Sequence, residues 1–283
     1  MKVKKILVEV DGSTTSLARL ESGINLGKSL GASISALCVV PFYLPTMAMG
    51  TMHGGWYVGE QVIEERRREA LTAAKEVRGA CERLAKNFGT ELSWLQYEGD
   101  IVTSTCQEAR YHDILLVGKP DTVNEPQLRT RDINGILLSS GMPVLVVPGS
   151  IPLLDKPIKN ILLAWDGSKE ALQALRGAMP FLEGADSVMV VTAYKHEERR
   201  QTIEDELEKI VAYLVVHGVK ASGHALEKGN FSTGDLLINY ANQSETDLIV
   251  MGAYGHSRLT EIVLGGATLD MLHNATLPIL FAH

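Results

Sequence analysis

The sequence KKILVEVDGSTTSLARL at residues 4–20 is matched almost position by position by KNILLAWDGSKEALQAL at residues 159–175. In both, a short and mainly apolar run ends in Asp-Gly-Ser and continues into a stretch whose apolar residues have helical spacing. Further along, DILLVG at residues 113–118 matches DLIVMG at residues 247–252. The chain therefore contains an internal repeat built on a strand, a turn and a helix.

The two copies differ in length. Asp166 follows Asp11 by 155 positions, whereas Gly252 follows Gly118 by 134, so the first copy carries about 21 additional residues. The insertion is the Met-rich segment FYLPTMAMGTMHGGWYVGE at residues 42–60. Two interpretations of it stay open: a lid or docking surface that uses adaptable methionines, or a loop folded over the core of its own domain.

Short apolar runs alternate with helical stretches along each copy. In the second copy the runs lie at 160–165, 188–193, 220–226, 247–251 and 278–281, and the helical stretches at 169–181, 197–217, 232–243 and 260–274. The runs are apolar on both faces rather than alternating, as strands covered by helices on both sides are. This pattern predicts an α/β fold with two doubly wound five-stranded parallel sheets of order 3-2-1-4-5. Prolines near residues 149–156 place the boundary between domains 1–150 and 157–283.

Composition excludes several classes of protein. The formal net charge of −7 gives no basic footprint for nucleic acid. The three cysteines are scattered and odd in number, which argues against a disulfide framework and favours a cytoplasmic location. No stretch approaches the length of a membrane span, so no membrane association is expected. The histidines share no ligand spacing, and we predict no metal site in the protein itself.

The glycines of MGAYGHSRLTEIVLGGAT at residues 251–268 lie where a ligand would bind. In an open α/β sheet, ligands bind beyond the carboxyl ends of the strands where the strand order reverses, here between the strands that end at Asp166 and Gly252. Gly252 and Gly255 would let the backbone approach a ligand closely. Gly265 and Gly266 each cost about 1 kcal/mol inside a helix. A helix that begins at them would instead present N–H groups to a phosphate.

These motifs resemble the universal stress protein family, in its tandem-domain form, over essentially the whole chain. Nucleotide-binding members carry Gly, two residues, Gly, nine residues, Gly and then Ser or Thr after the fourth strand. Gly252, Gly255 and Gly265 have that spacing, and the family's aspartate at the end of the first strand falls on Asp166. The resemblance implies two domains that form a pseudo-dimer within one chain.

Two positions depart from the family pattern. Gly266 stands where the family has Ser or Thr, although Thr268 lies at another hydroxyl position of ATP-binding members. His256 replaces a frequent Arg or Lys, with Arg258 nearby as an alternative cation. These departures bear on affinity and on the number of phosphates bound.

The first copy lacks the later glycines of the motif. Gly118 is followed by Pro120 and Asp121, and Ile136 and Leu137 fall near the places of the missing glycines. We expect this half to be a degenerate, structural domain in which Asp11 belongs only to a helix-capping turn.

By resemblance, the chain is an ATP-binding universal stress protein that acts in the stress response, with one working site in its C-terminal half. The backbone at Ala193 would face adenine, and Asp166 and Gly252 would lie at the ribose. The phosphates would be surrounded by Gly255, Gly265, Gly266, Ala267 and Thr268. ATP or another adenine nucleotide is the expected cofactor, with Mg²⁺ held chiefly through its phosphates.

Two alternatives remain beside this interpretation. One is a nucleotide-independent interaction protein with chaperone-like activity, and the other is a slow ATPase. Efficient catalysis is not expected, because no pair of carboxylates or histidines near the loop is an obvious base for water. For assembly, the short apolar runs at 142–147 and 278–281 are predicted to pair within the chain. A homodimer would then use the insertion at 42–60.

Overall fold

The structure is a computed structural model that describes residues 2–41, 60–119, 133–149, 154, 156–255 and 266–283. Residues 42–59 of the insertion therefore lie outside the described residues. So do His256, Arg258 and Gly265 of the predicted site and most of the predicted domain boundary, which stays a prediction.

The N-terminal half alternates strands and helices. Its elements are β1 (Lys5–Glu9), α1 (Thr14–Leu30), β2 (Ser33–Pro41), α2 (Glu60–Asn87), β3 (Leu92–Gly99), α3 (Ile101–Ala109), β4 (Ile114–Gly118), α4 (Ile133–Ser139) and β5 (Val144–Val147).

The C-terminal half repeats this order with a one-turn 3₁₀ helix at Glu197–Arg199 before its second α-helix. Its elements are β6 (Asn160–Ala164), α5 (Lys169–Leu182), β7 (Ser187–Tyr194), α6 (Arg200–Val216), β8 (Ala221–Glu227), α7 (Thr233–Gln243), β9 (Leu248–Gly252), α8 (Gly266–Asn274) and β10 (Ile279–Ala282). The helix predicted over residues 260–274 is thus described only from Gly266 onward.

The strands form one ten-stranded sheet with the order β3-β2-β1-β4-β5-β10-β9-β6-β7-β8. Within each half the order is 3-2-1-4-5 and every strand pair is parallel, which confirms the predicted fold class. The two halves join at β5 and β10, which are antiparallel, with Ile279 opposite Val146 and Leu280 opposite Leu145. The two predicted sheets are therefore continuous through the pairing that the sequence predicts.

Helices cover both faces of the sheet. Alternate residues of each strand belong to different cores: Ile6 and Val8 of β1 face one, and Leu7 faces the other. The first core also contains residues of α1, α2, α5 and α6, and the second contains residues of α3, α4, α7 and α8. Burial on both faces explains why inner strands such as β4 and β5 read as continuous apolar runs, whereas the edge strands β3 and β8 are more exposed and more polar.

The Asp-Gly-Ser turns connect the first strand of each half to its helix. Gly12 and Gly167 have φ of 81° and 75°, a left-handed conformation that suits glycine. The hydroxyls of Ser13 and Ser168 each accept a hydrogen bond from a backbone N–H of the first helical turn at 3.1 Å. Loss of such a cap typically costs about 1 kcal/mol. Each turn therefore has a structural role in starting its helix.

Candidate functional site

A cavity of about 310 Å³ lies at the carboxyl ends of β6, β7 and β9, between those strand ends and the starts of α7 and α8. Since β6 is hydrogen-bonded to both β7 and β9, this is the point in the C-terminal half where the strand order reverses. Seven of the ten sequence-predicted site residues line the cavity: Asp166, Ala193, Gly252, Gly255, Gly266, Ala267 and Thr268. The remaining three are His256, Arg258 and Gly265, which lie outside the described residues.

Several lining residues were not predicted. Ala164, Val191, Leu237 and Met251 give the cavity an apolar wall, because they belong to, or pack against, the core that includes α7 and α8. Tyr254, Thr192 and Thr233 also line it. The strand residues could have been found from periodicity, because residues alternate between the two faces at the strand ends. Leu237 required knowledge of how α7 packs.

Gly252 lines the cavity and also packs closely against α5. A Cβ built on it would lie 2.6 Å from the backbone nitrogen of Ala171 and 2.7 Å from the carbonyl carbon of Glu170, at the start of α5. A side chain at this position would therefore push the helix away from β9. Packing against α5 is thus a reason for glycine at this position that the sequence pattern did not reveal, and the predicted approach to a ligand stays a prediction.

Gly255 and Gly266 have other environments. A Cβ on Gly255 would lie 3.1 Å from the Ser168 hydroxyl oxygen, which is tight but adjustable. A Cβ on Gly266 would have no atom within 4 Å among the described contacts, so packing does not require glycine there. None of Gly252, Gly255 and Gly266 has a positive φ, whereas Tyr254 between the first two has φ of 63°.

Hydrogen bonds hold the strand ends in place around the cavity. The exposed carboxylate of Asp166 accepts a hydrogen bond from the Ser168 N–H at 2.9 Å. The hydroxyl of Thr192 donates to the carbonyl oxygen of Trp165 at 2.7 Å and so ties the end of β7 to the end of β6. Asp166 thus stands at the rim of the cavity as a negatively charged acceptor.

Thr268 connects α8 to the loop that follows β9. Its side chain is buried, at 3% exposure, and its hydroxyl oxygen accepts a hydrogen bond from the Tyr254 N–H at 3.3 Å. A hydroxyl keeps its own proton for donation when it accepts in this way. Thr268 can therefore hold the loop and still donate to a ligand oxygen.

The N-terminal half has a buried ion pair that includes Glu9, the residue that corresponds to Ala164. Glu9 is the last residue of β1, and Ala164 is the last residue of β6. In the register with the neighbouring strand, Glu9 lies beside Leu37 and Ala164 lies beside Val191. The Glu9 carboxylate lies 2.9 Å from the guanidinium of Arg19, and the two residues are 5% and 1% exposed. Arg19 also donates to the Glu9 carbonyl oxygen at 2.9 Å. The N-terminal half therefore has a charged side chain, Glu9, at the position where the C-terminal half has the small side chain of Ala164 beside its cavity.

Metal sites and membrane spans are both absent from the residues that the structure describes. Among them, no group of three or more His, Cys, Asp or Glu side chains is arranged to hold a metal ion. No helix within the same residues combines the length and the apolar character needed to cross a bilayer.

Comparison with known proteins relates this architecture to a family. The model of the Universal stress protein family matches residues 157–283. A universal stress protein of Synechocystis sp. is 29% identical over 181 residues, which are 59% of this chain and 57% of that protein. The match therefore spans little more than half of that relative. A universal stress protein of Mycobacterium tuberculosis is 26% identical over 141 residues, covering 44% of this chain and 96% of that protein.

Solved structures extend the likeness to both halves. The crystal structure of a universal stress protein from Archaeoglobus fulgidus matches with a TM-score of 0.71, covering 100% of this chain and 99% of that one. At 16% identity this match shows the fold. Residues 157–283 thus match the model of the universal stress protein family, and the whole chain has the fold of a universal stress protein.

Proposed function

We propose that this universal stress protein binds one adenine nucleotide in the cavity of its C-terminal half and acts in the stress response through that binding. The observation that carries the proposal is the convergence of seven motif residues on one cavity at the reversal of strand order. They come from the ends of β6, β7 and β9 and from α8, which are far apart in sequence. A volume of about 310 Å³ is at the lower end of the range for small-molecule sites.

The cavity has two chemically different ends that suit the two ends of a nucleotide. The apolar wall of Ala164, Val191 and Leu237 would pack against the adenine ring, next to the backbone of Ala193. Gly255, Gly266, Ala267 and Thr268 would surround the phosphates, where two residues without side chains leave backbone groups accessible. The Thr268 hydroxyl is the donor that we assign to a phosphate oxygen.

Charge at the rim would complete the site. We assign the exposed Asp166 carboxylate to the ribose hydroxyls or to a magnesium ion that the phosphates carry. His256 and Arg258 follow Gly255 in sequence, and we assign them to the phosphates as cationic partners. Mg²⁺, when bound with ATP, would neutralise phosphate charge and would be held mainly by the nucleotide.

One nucleotide per chain is expected because the N-terminal half lacks the later glycines of the motif and has Glu9 at the position that corresponds to Ala164. The buried pair of Glu9 and Arg19 occupies its counterpart of the Ala164 wall. We therefore assign residues 1–150 to a structural domain and residues 157–283 to the binding domain. Location in the cytoplasm and further assembly into a homodimer through residues 42–60 remain parts of this proposal.

Titration calorimetry with ATP tests the proposal directly on the full chain. Ala164→Leu adds apolar atoms to the cavity wall and should weaken ATP binding by at least tenfold while the fold is kept. Ala73→Leu is the matched control, because it makes the same change at an exposed position of α2. If ATP binds equally well to both variants, the nucleotide does not occupy this cavity.

A further inference from the structure

Tyr254 adopts an unusual backbone conformation at the edge of the cavity. It follows β9, lines the cavity and has φ of 63°, in the left-handed region that residues with a Cβ seldom adopt. Such a conformation costs free energy and persists only where surrounding contacts hold it. The contacts of Tyr254 therefore decide whether the loop keeps this shape.

Those contacts reach both halves of the chain. The Tyr254 N–H donates to the Thr268 hydroxyl oxygen at 3.3 Å within the C-terminal half. The Tyr254 phenol donates to the side-chain carbonyl oxygen of Asn134 at 2.6 Å, and Asn134 belongs to α4 of the N-terminal half. The ring also meets His283 edge to face, with centroids 6.2 Å apart, and a ring nitrogen of His283 lies 3.0 Å from the Ala253 carbonyl oxygen.

A second contact from the N-terminal half reaches the far end of α8, the helix whose first residues line the cavity. Lys119, which follows β4, donates from its ammonium group to the carbonyl oxygen of Ala275 at 3.2 Å. Ala275 directly follows α8, the helix whose residues Gly266 to Thr268 line the cavity. A cation at the carboxyl end of a helix interacts favourably with the helix dipole. The N-terminal half thus contacts both the loop after β9 and the far end of α8.

We propose that the N-terminal half positions the nucleotide site of the C-terminal half, and that Tyr254 is the positioning residue through its bond to Asn134. This role rests on the proposed nucleotide function. With the bond formed, the loop keeps Gly255 and the Tyr254 N–H in place next to Thr268. Without it, the backbone of Tyr254 relaxes towards negative φ, and the fraction of chains with a binding-competent loop falls. Apparent affinity falls by the same fraction.

The coupling must also act in the reverse direction. The hydrogen bond between Tyr254 and Asn134 increases the affinity for a nucleotide that binds only the competent loop. The bound nucleotide, in turn, shifts the equilibrium towards the formed hydrogen bond by the same factor. A nucleotide bound in the C-terminal half would thereby strengthen the contact between this half and the N-terminal half. A domain without a site of its own would then still contribute to binding.

The test is a double-mutant cycle on the full chain, with ATP affinity measured by calorimetry. Tyr254→Phe and Asn134→Leu each remove one partner of the bond, and each should weaken ATP binding by about threefold to tenfold, the effect of one hydrogen bond. The double variant should be no weaker than either single variant, because both remove the same interaction. Asn134→Asp keeps an acceptor for the phenol and should restore most of the affinity.

Hydrogen exchange of the ligand-free variants provides a second readout. Both single variants should show faster amide exchange at residues 253–255, with β9 unchanged. If the variants bind ATP as tightly as the unsubstituted chain, or lose affinity without faster exchange in the loop, the positioning role is refuted while the proposed function stands. If the unsubstituted chain binds no ATP, the proposed function and this role are both refuted.

Discussion

Gly252→Ala and Gly266→Ala make the same chemical change at two glycines of one cavity, and we predict different effects on stability. A Cβ on Gly252 would lie 2.6 Å from the Ala171 nitrogen and 2.7 Å from the Glu170 carbonyl carbon. These are backbone atoms at the start of α5, so no side-chain rotation can relieve the contact. A Cβ on Gly266 would meet no atom of the described residues within 4 Å.

The expected magnitudes follow from these distances. Overpacking of this kind costs about 1–3 kcal/mol. One kcal/mol corresponds to roughly 2–4 °C in Tm for chains somewhat shorter than this one. Gly252→Ala should therefore lower Tm by about 2–12 °C. Gly266→Ala should leave it unchanged or raise it, because alanine is favoured over glycine by up to about 1 kcal/mol within a helix.

Thermal unfolding followed by circular dichroism, with denaturant titration as a check, measures both variants without any ligand. The reasoning is refuted if Gly252→Ala is as stable as the unsubstituted chain, or if Gly266→Ala loses as much stability as Gly252→Ala. The same contacts argue against Gly252→Asp as a test of binding. The larger aspartate side chain would meet the same backbone atoms, so a loss of binding could not be separated from a loss of stability.

Three further predictions concern other parts of the chain. Gly266→Ser should fold normally and should strengthen ATP binding, measured by calorimetry, by about threefold to tenfold. The reason is that the added hydroxyl would reach the open space at the phosphate end of the cavity. Weaker binding would show that no phosphate lies there. Burial lowers the pKa of His112 in the folded chain, so the unfolded chain binds a proton at this imidazole more readily. The free energy of unfolding should therefore fall as the pH drops below about 6.5. His112→Gln should flatten that dependence in denaturant titrations at several pH values, and an unchanged slope would contradict the assignment. A chain without residues 44–59 should fold, bind ATP and elute as a monomer in light scattering, whereas a dimer would exclude the insertion as the contact.

Much of the fold could be predicted because it depends on local pattern. Strands buried on both faces read as apolar runs, and the two Asp-Gly-Ser turns mark where each first strand passes into a helix. The pairing of β5 with β10 was predictable from two short apolar edges within one chain. The position of the cavity followed from strand order, since parallel strands bring their carboxyl ends to one edge.

Features that depend on contacts between distant residues could not be predicted. Glu9 and Arg19 look like ordinary surface charges in the sequence, and only the packing of α1 on β1 buries them as a pair. Gly252 looks like part of a ligand-binding motif, whereas its closest neighbours belong to α5. Tyr254, with its left-handed backbone, donates a hydrogen bond to Asn134, which lies 120 positions earlier in the chain.

Native mass spectrometry of the full chain with ATP tests the central claim most directly, because it counts bound nucleotides. The account predicts one ATP per chain, carried by the C-terminal half and lost in Ala164→Leu but kept in Ala73→Leu. No bound ATP, two per chain, or one that persists in Ala164→Leu would contradict a single nucleotide site in this cavity.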